Sequence, residues 1–191
     1  MNMDSNLFQG ELVRLAALDP EEVAAAVSRN SRDSEFFRLM DSSPCRPYTK
    51  EGTKKWIEKQ LEEQNVVPFA VRTLAEDRLI GDVGLGQVYW SHGDTYLGIG
   101  IGERDFWGKG YGTDAMKLAL RYAFIELNLR RVTLNVYEYN PRAIRCYEKL
   151  GFQHEGRVRR YLNREGRRWD LIYMGIMKEE WLASNPGHQN L

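Results

Sequence analysis

The sequence predicts a single mixed α/β domain, a mixed sheet with helices on its faces. Three observations predict it. The length of 191 residues suits one domain with a real core. Apolar residues make up 42% of the chain, close to the usual globular share. The apolar period also alternates between strand and helix in the order β-α-α-β-β-β-α-β-α-β-β.

The elements follow from local signals. Glu11 to Leu15 reads as a short strand, with Leu12, Val13 and Leu15 apolar. Asp19-Pro20-Glu21-Glu22 opens a helix as N-cap, first-position proline and back-reaching acid. Ser31 to Met40 reads as a turn or short helix, and Lys50 to Glu63 as an amphipathic helix spaced by Trp56, Ile57, Gln60 and Leu61. Pro68 to Thr73 and Leu79 to Leu85 form an antiparallel hairpin about the polar turn Ala75–Arg78. Tyr96 to Ile101 is a third strand that runs into a glycine-rich turn. Gly112 to Leu127 is the strongest helix, with Ala115, Met116, Ala119, Tyr122, Ala123 and Phe124 on its apolar face. Arg131 to Tyr137 is a strand, and Asn140-Pro141 starts a helix that Gly151 ends. Phe152 to Leu162 and Trp169 to Met177 close the sheet as a hairpin about Asn163–Gly166. The domain is expected to span residues 1–183, with 184–191 a flexible tail.

Composition excludes several classes. Basic and acidic residues balance at 27 each, so no strong case exists for nucleic-acid binding over the whole surface. No apolar run reaches the roughly 18 residues of a membrane span. Met1 to Gly10 lacks a signal pattern. Cys45 and Cys146 lie far apart, and His92, His154 and His188 show no ligand spacing, so no metal is expected. Two free thiols suit a reducing compartment, and the chain is expected in the cytoplasm.

The informative stretch is Gly98-Ile99-Gly100-Ile101-Gly102, followed by Trp107-Gly108-Lys109-Gly110-Tyr111-Gly112-Thr113. Gly108, Gly110 and Gly112 alternate where a strand ends and a helix begins. Backbone N–H groups there can converge on a phosphate, with the helix dipole behind them and Lys109 adding charge. Neither the Gly-Lys-Ser/Thr nucleotide loop nor the Gly-x-Gly-x-x-Gly dinucleotide turn fits. A tight connection for strand–helix packing is the structural alternative.

Next comes Asn140-Pro141-Arg142-Ala143, leading to Tyr147 and Gly151-Phe152. With these two segments the chain resembles the GNAT superfamily of acetyl-CoA-dependent N-acetyltransferases. Trp107 to Gly112 is similar to the family's Arg/Gln-x-x-Gly-x-Gly/Ala loop, with Trp107 in the Arg/Gln position. Asn140 to Phe152 is similar to its Asn-x-x-Ala-x-x-x-Tyr-x-x-x-Gly-Phe helix. Phe106 to Thr113, Glu155 to Arg159 and Trp169-Asp170 resemble the RimJ/RimL-like branch, the ribosomal-protein N-acetyltransferase type.

The resemblance implies a mostly antiparallel sheet of about seven strands, with a splayed parallel pair forming the cofactor cleft. It implies acetyl-CoA as co-substrate and an amine acceptor: a peptide N-terminus, a polyamine or a small molecule. Ile99, Gly100, Ile101 and Gly102 would pair with the pantetheine arm. Trp107, Gly108, Lys109, Gly110, Tyr111, Gly112 and Thr113 would hold the pyrophosphate, and Asn140, Ala143 and Tyr147 would flank the cofactor. Asn140 also reads as an N-cap.

Tyr147 is the expected catalytic group beside the leaving thiolate. Glu103, Asp82 and Asp170 are the candidate bases, Asp170 favoured by its place after Trp169. Carboxylates at such positions also commonly bond to backbone. Asp33, Glu35 and Asp41 are candidates for recognising a cation. Cys146 reads as a core cysteine rather than a nucleophile. Arg157, Arg159, Arg160, Arg164, Arg167 and Arg168 crowd the last hairpin, as a solvated face or a surface for RNA or the ribosome. An acyl-CoA sensor without turnover is the other alternative, and a homodimer is compatible with the pattern.

Overall fold

The computed structural model of the chain describes residues 6–188. The expected tail therefore falls partly outside the described residues, as do the start of the signal-peptide reading and the side chain of His188. Seven strands form one sheet in the order β1-β2-β3-β4-β5-β7-β6. They are β1 (Val13–Ala16), β2 (Val67–Thr73), β3 (Leu79–Tyr89), β4 (Asp94–Ile101), β5 (Arg131–Tyr137), β6 (Gln153–Arg164) and β7 (Arg167–Met177). The helices are α1 (Pro20–Asn30), α2 (Ser34–Met40), α3 (Lys50–Glu62), α4 (Tyr111–Arg121), α5 (Pro141–Lys149) and α6 (Lys178–Ser184).

Local signals act as the sequence suggests at most element ends. Asp19 accepts from the N–H groups of Glu21 and Glu22, and Asn140 from that of Ala143, so both cap helices that begin with proline. Several bounds differ. The helix expected to Leu127 is α-helical only to Arg121 and finishes in a π-turn over Tyr122–Glu126. The last hairpin tightens to the two-residue turn Glu165–Gly166. Ser184, expected in the tail, closes α6, and a 3₁₀ turn follows at Pro186–His188.

All neighbouring strands are antiparallel except β4 and β5. This parallel pair is short: Asp94, Thr95 and Tyr96 match Arg131, Val132 and Thr133. Beyond Tyr96, β4 stays with β3 as far as Ile101, and β5 stays with β7 as far as Tyr137. The two strands therefore separate, and the sheet opens between them.

The faces of the sheet bury different partners. Val83, Leu85 and Leu97 pack with Ala115, Met116 and Ala119 of α4 in the main core. On the opposite face, Val23, Ala24 and Ile57 of α1 and α3 cover Ala70 and Leu79. Burial of these aliphatic side chains supplies the main stabilising term, about 1.5–3 kcal/mol for each large one. Asp114 ties β1 to α4: its carboxylate is buried and accepts the N–H groups of Leu12 and Val13 at 2.8 and 3.0 Å.

Candidate active site

The opening between β4 and β5 is the floor of a cleft of about 970 Å³. Gly102 N–H donates to the Ile80 carbonyl at 2.9 Å, which fixes the alternation along β4. Backbone groups of Gly98, Gly100 and Gly102 point to β3, and those of Leu97, Ile99 and Ile101 point into the opening. Within the expected Ile99–Gly102 stretch, Ile99 and the N–H of Ile101 face a ligand there. The Ile101 carbonyl is already occupied by the indole Nε1–H of Trp107, at 2.6 Å. Gly100 and Gly102 instead line a smaller cavity beneath α1.

The glycine turn reaches the cleft at its far end. Gly108 and Gly110 have φ of +71° and +93°, a region costly for a residue with Cβ. Gly110 is the N-cap of α4, and no side chain caps this helix. The first bond of the helix is Asp114 N–H to the Gly110 carbonyl. The N–H groups of Tyr111, Gly112 and Thr113 are left without intrahelical acceptors, a ready anion site. Gly108, Gly110, Gly112 and Thr113 line the cleft, whereas Lys109 is exposed outside it and Tyr111 packs edge-on against Phe106.

Trp107 makes contacts the sequence did not suggest. Its ring lies 3.9 Å from the Arg142 guanidinium carbon and 5.2 Å from that of Arg104. Arg142, Arg145 and Lys149 of α5 all line the cleft and make that end of it cationic. Asn140, Ala143, Cys146 and Tyr147 line it too. Thr113 Oγ1 and Cys146 Sγ lie 3.1 Å apart and join α4 to α5. Burial pushes the Cys146 thiol above its usual pKa, which disfavours a thiolate.

Tyr147 is buried beside Phe152, and burial holds its hydroxyl well above the ordinary phenol range. Its hydroxyl therefore stays protonated at neutral pH and is able to donate a hydrogen bond.

The three candidate acids separate clearly. Asp170 lies outside the cleft lining: it accepts Arg160 N–H at 2.7 Å and pairs with Arg157 at 3.0 Å. Those bonds hold its pKa below the usual value. Glu103 pairs with Arg29 and Arg78 and lines only the small cavity. Asp82 alone of the three lines the cleft. It stands across from Ala70 and Gly100 in the sheet register, on the α1–α3 face. It is half-buried, no hydrogen bond or ion pair among the described residues engages its carboxylate, and burial raises its pKa from 3.8 to about 6.

The other acids and part of the arginine hairpin are engaged. Asp33 caps α2 and, with Glu35, pairs with Arg104. The Asp41 carboxylate accepts Ser43 N–H at 2.7 Å. Arg164 donates to the Asp41 carbonyl, and Arg167 lies over Trp169. No helix among the described residues is long and apolar enough to cross a membrane.

Comparison with known proteins agrees with this geometry. Residues 12–153 match the family model described as an acetyltransferase (GNAT) domain. The chain is 31% identical over 174 residues to the SPbeta prophage-derived uncharacterized N-acetyltransferase YokL of Bacillus subtilis, covering 91% of this chain and 94% of that one. It is 30% identical to the probable N-acetyltransferase YjcK of the same organism, over 84% and 91% of the two chains. A solved spermidine N-acetyltransferase from Vibrio cholerae, in complex with CoA and spermine, superposes with a TM-score of 0.79 at 25% identity, covering 89% of this chain and 98% of that one.

Proposed function

The chain belongs to the GNAT acetyltransferase family and is an N-acetyltransferase; on that premise we propose that it acetylates a primary amine by direct attack in a ternary complex, as a cytoplasmic member of the RimJ/RimL-like branch. The observation that carries the mechanism is the cleft itself: unpaired main-chain groups of β4 at one end of the opening, uncapped α4 N–H groups at the other.

The residues fit acetyl-CoA. Free N–H donors of Tyr111, Gly112 and Thr113, with Arg142, would hold the pyrophosphate, and the inward main-chain groups of Ile99 and the N–H of Ile101 would pair with the amides of the arm. When bound, the thioester supplies an activated acetyl carbon. Asp82 accepts the proton that the amine must lose as its nitrogen bonds to that carbon. An α-amine with pKa near 8 or an alkylamine near 10.4 is mostly protonated at neutral pH, so this step is required. An inward β4 N–H stabilises the carbonyl oxygen as charge develops. Tyr147 O–H donates to the sulfur as the C–S bond breaks.

One domain would extend over residues 1–183, and the free β6 edge, with Val158 and Tyr161 exposed, is where a second copy would pair. The test is acetyl-CoA turnover with a panel of amines, read by thiol release and product mass. Tyr147→Phe is expected to lower kcat by roughly 10- to 100-fold with CoA affinity nearly unchanged. Equal kcat for the two proteins would remove Tyr147 from the reaction.

A further inference from the structure

The acceptor half of the cleft has a composition that selects among amines. Asp82 is the one carboxylate among the described residues that line the cleft. The nearby acids are engaged elsewhere: Asp33 and Glu35 with Arg104, Glu138 with the Asp170 N–H at 3.1 Å, and Glu165 with Arg38. The other charged lining groups, Arg142, Arg145 and Lys149, are cations.

Phe36 and Met40 neighbour Asp82, and the rest of the cleft lining carries further aromatic side chains, Tyr96, Tyr137 and Tyr173 among them. Its floor is side-chain-free: Gly84 faces Gly98 across β3 and β4, and a Cβ added at Gly98 or Gly86 would meet nothing within 4 Å.

We propose that the acceptor is a primary amine carrying a single positive charge on an apolar body of about the size of an aromatic ring, with Asp82 receiving its ammonium and the tyrosine-lined, glycine-floored groove receiving its body. The proposal rests on the acetyltransferase reading above and names the substrate class for the same site. A single ammonium finds one carboxylate in a cleft that aromatic side chains also line, a favourable setting for a partly desolvated cation. A polyamine would bring further charges that find no second carboxylate in the cleft lining. A small arylalkylamine and a peptide α-amine with an apolar first side chain share the required chemistry.

The experiment measures kcat/KM at saturating acetyl-CoA for 2-phenylethylamine, for a tetrapeptide with a free N-terminal Phe, and for spermidine. The better of the first two is expected to exceed spermidine by about tenfold or more, the factor for one unpaired charge in a partly desolvated site. The winning arm identifies the source. Spermidine used as well as both of the others would overturn the proposal and leave the acetyltransferase reading standing. No turnover of any amine by protein that binds CoA would overturn both. Asn135→Asp places a second carboxylate in the cleft and is expected to raise the use of spermidine relative to phenylethylamine by roughly fivefold. An unchanged ratio would refute the charge argument.

Discussion

The guanidinium of Arg142 lies 3.9 Å from the centre of the Trp107 ring, joining the first turn of α5 to the loop before α4. Trp107 occupies the motif position where the family usually has Arg or Gln, and its own N–H is committed to the Ile101 carbonyl. The cation thus comes from α5 rather than from the loop. Arg142→Ala is expected to weaken CoA binding by about tenfold, the usual worth of one charge-assisted hydrogen bond, with the loss shrinking at high salt. Isothermal calorimetry at two ionic strengths checks it. Unchanged affinity would place Arg142 outside the phosphate site.

Asp82 sets a pH dependence with a definite sign. Its pKa is about 6, so kcat/KM is expected to fall as pH drops through 6, and Asp82→Asn should flatten that limb and lower the rate. Stability runs the other way. A folded pKa raised above 3.8 means that the folded chain holds the proton more tightly. The associated stability is present below about pH 4 and is lost as pH rises through 6. Asp82→Asn, which stays neutral, is therefore expected to be more stable than the parent at pH 8, by about 1–2 kcal/mol after allowance for water in the open cleft. Denaturant melts at pH 5 and pH 8 test this: a difference that does not grow with pH would remove Asp82 as a buried, unpaired carboxylate.

Gly110 and Gly112 are expected to respond differently to alanine. Gly110 has φ of +93°, so Gly110→Ala strains the turn by about 1–2 kcal/mol and should weaken CoA binding. A Cβ at Gly112 would lie 3.6 Å from Ile101 Cγ1, an ordinary contact, so Gly112→Ala should fold with little loss. Melting temperatures and CoA titration of the two variants provide the comparison. Equal effects would mean that backbone conformation is not what the turn requires.

Asp170 is a structural residue by its partners. Its carboxylate holds the Arg160 N–H, and Arg160 is at φ of +56° within the irregular Val158–Leu162 register of β6. The bond to Arg160 and the pair with Arg157 lower its pKa, so its stabilising contribution is present above about pH 4 and is lost as pH falls below that. Asp170→Ala should lower the melting temperature at pH 7 while leaving the pH-6 limb of the rate profile in place. Loss of that limb in this variant, rather than in Asp82→Asn, would transfer the base role to Asp170.

Much of the fold was legible because its signals are local. Strand alternation marked Arg131–Tyr137, turn residues marked the hairpins, and Asp19-Pro20 and Asn140-Pro141 carry their own capping chemistry. The glycine turn was legible for the same reason, since Gly108 and Gly110 adopt the left-handed conformations that their residue type permits. The π-turn at Tyr122–Glu126 had no such signal, because the apolar face runs on unbroken to Leu127. Arg142 stood in a variable motif position, and only its neighbour Trp107 shows its use.

The sequence by itself determined the family, the strand–turn–helix proposed to receive a phosphate, and the helix that carries Tyr147, since each is encoded within about a dozen consecutive residues. Tertiary structure alone decided which acid stands in the cleft. Asp82, Glu103 and Asp170 are chemically similar, and their difference lies in partners far away in the chain: Arg29 and Arg78 take Glu103, Arg157 and Arg160 take Asp170, and Asp82 is left half-buried with neither. A carboxylate's proton affinity follows its surroundings, and those are assembled only when β3, β4 and α2 come together.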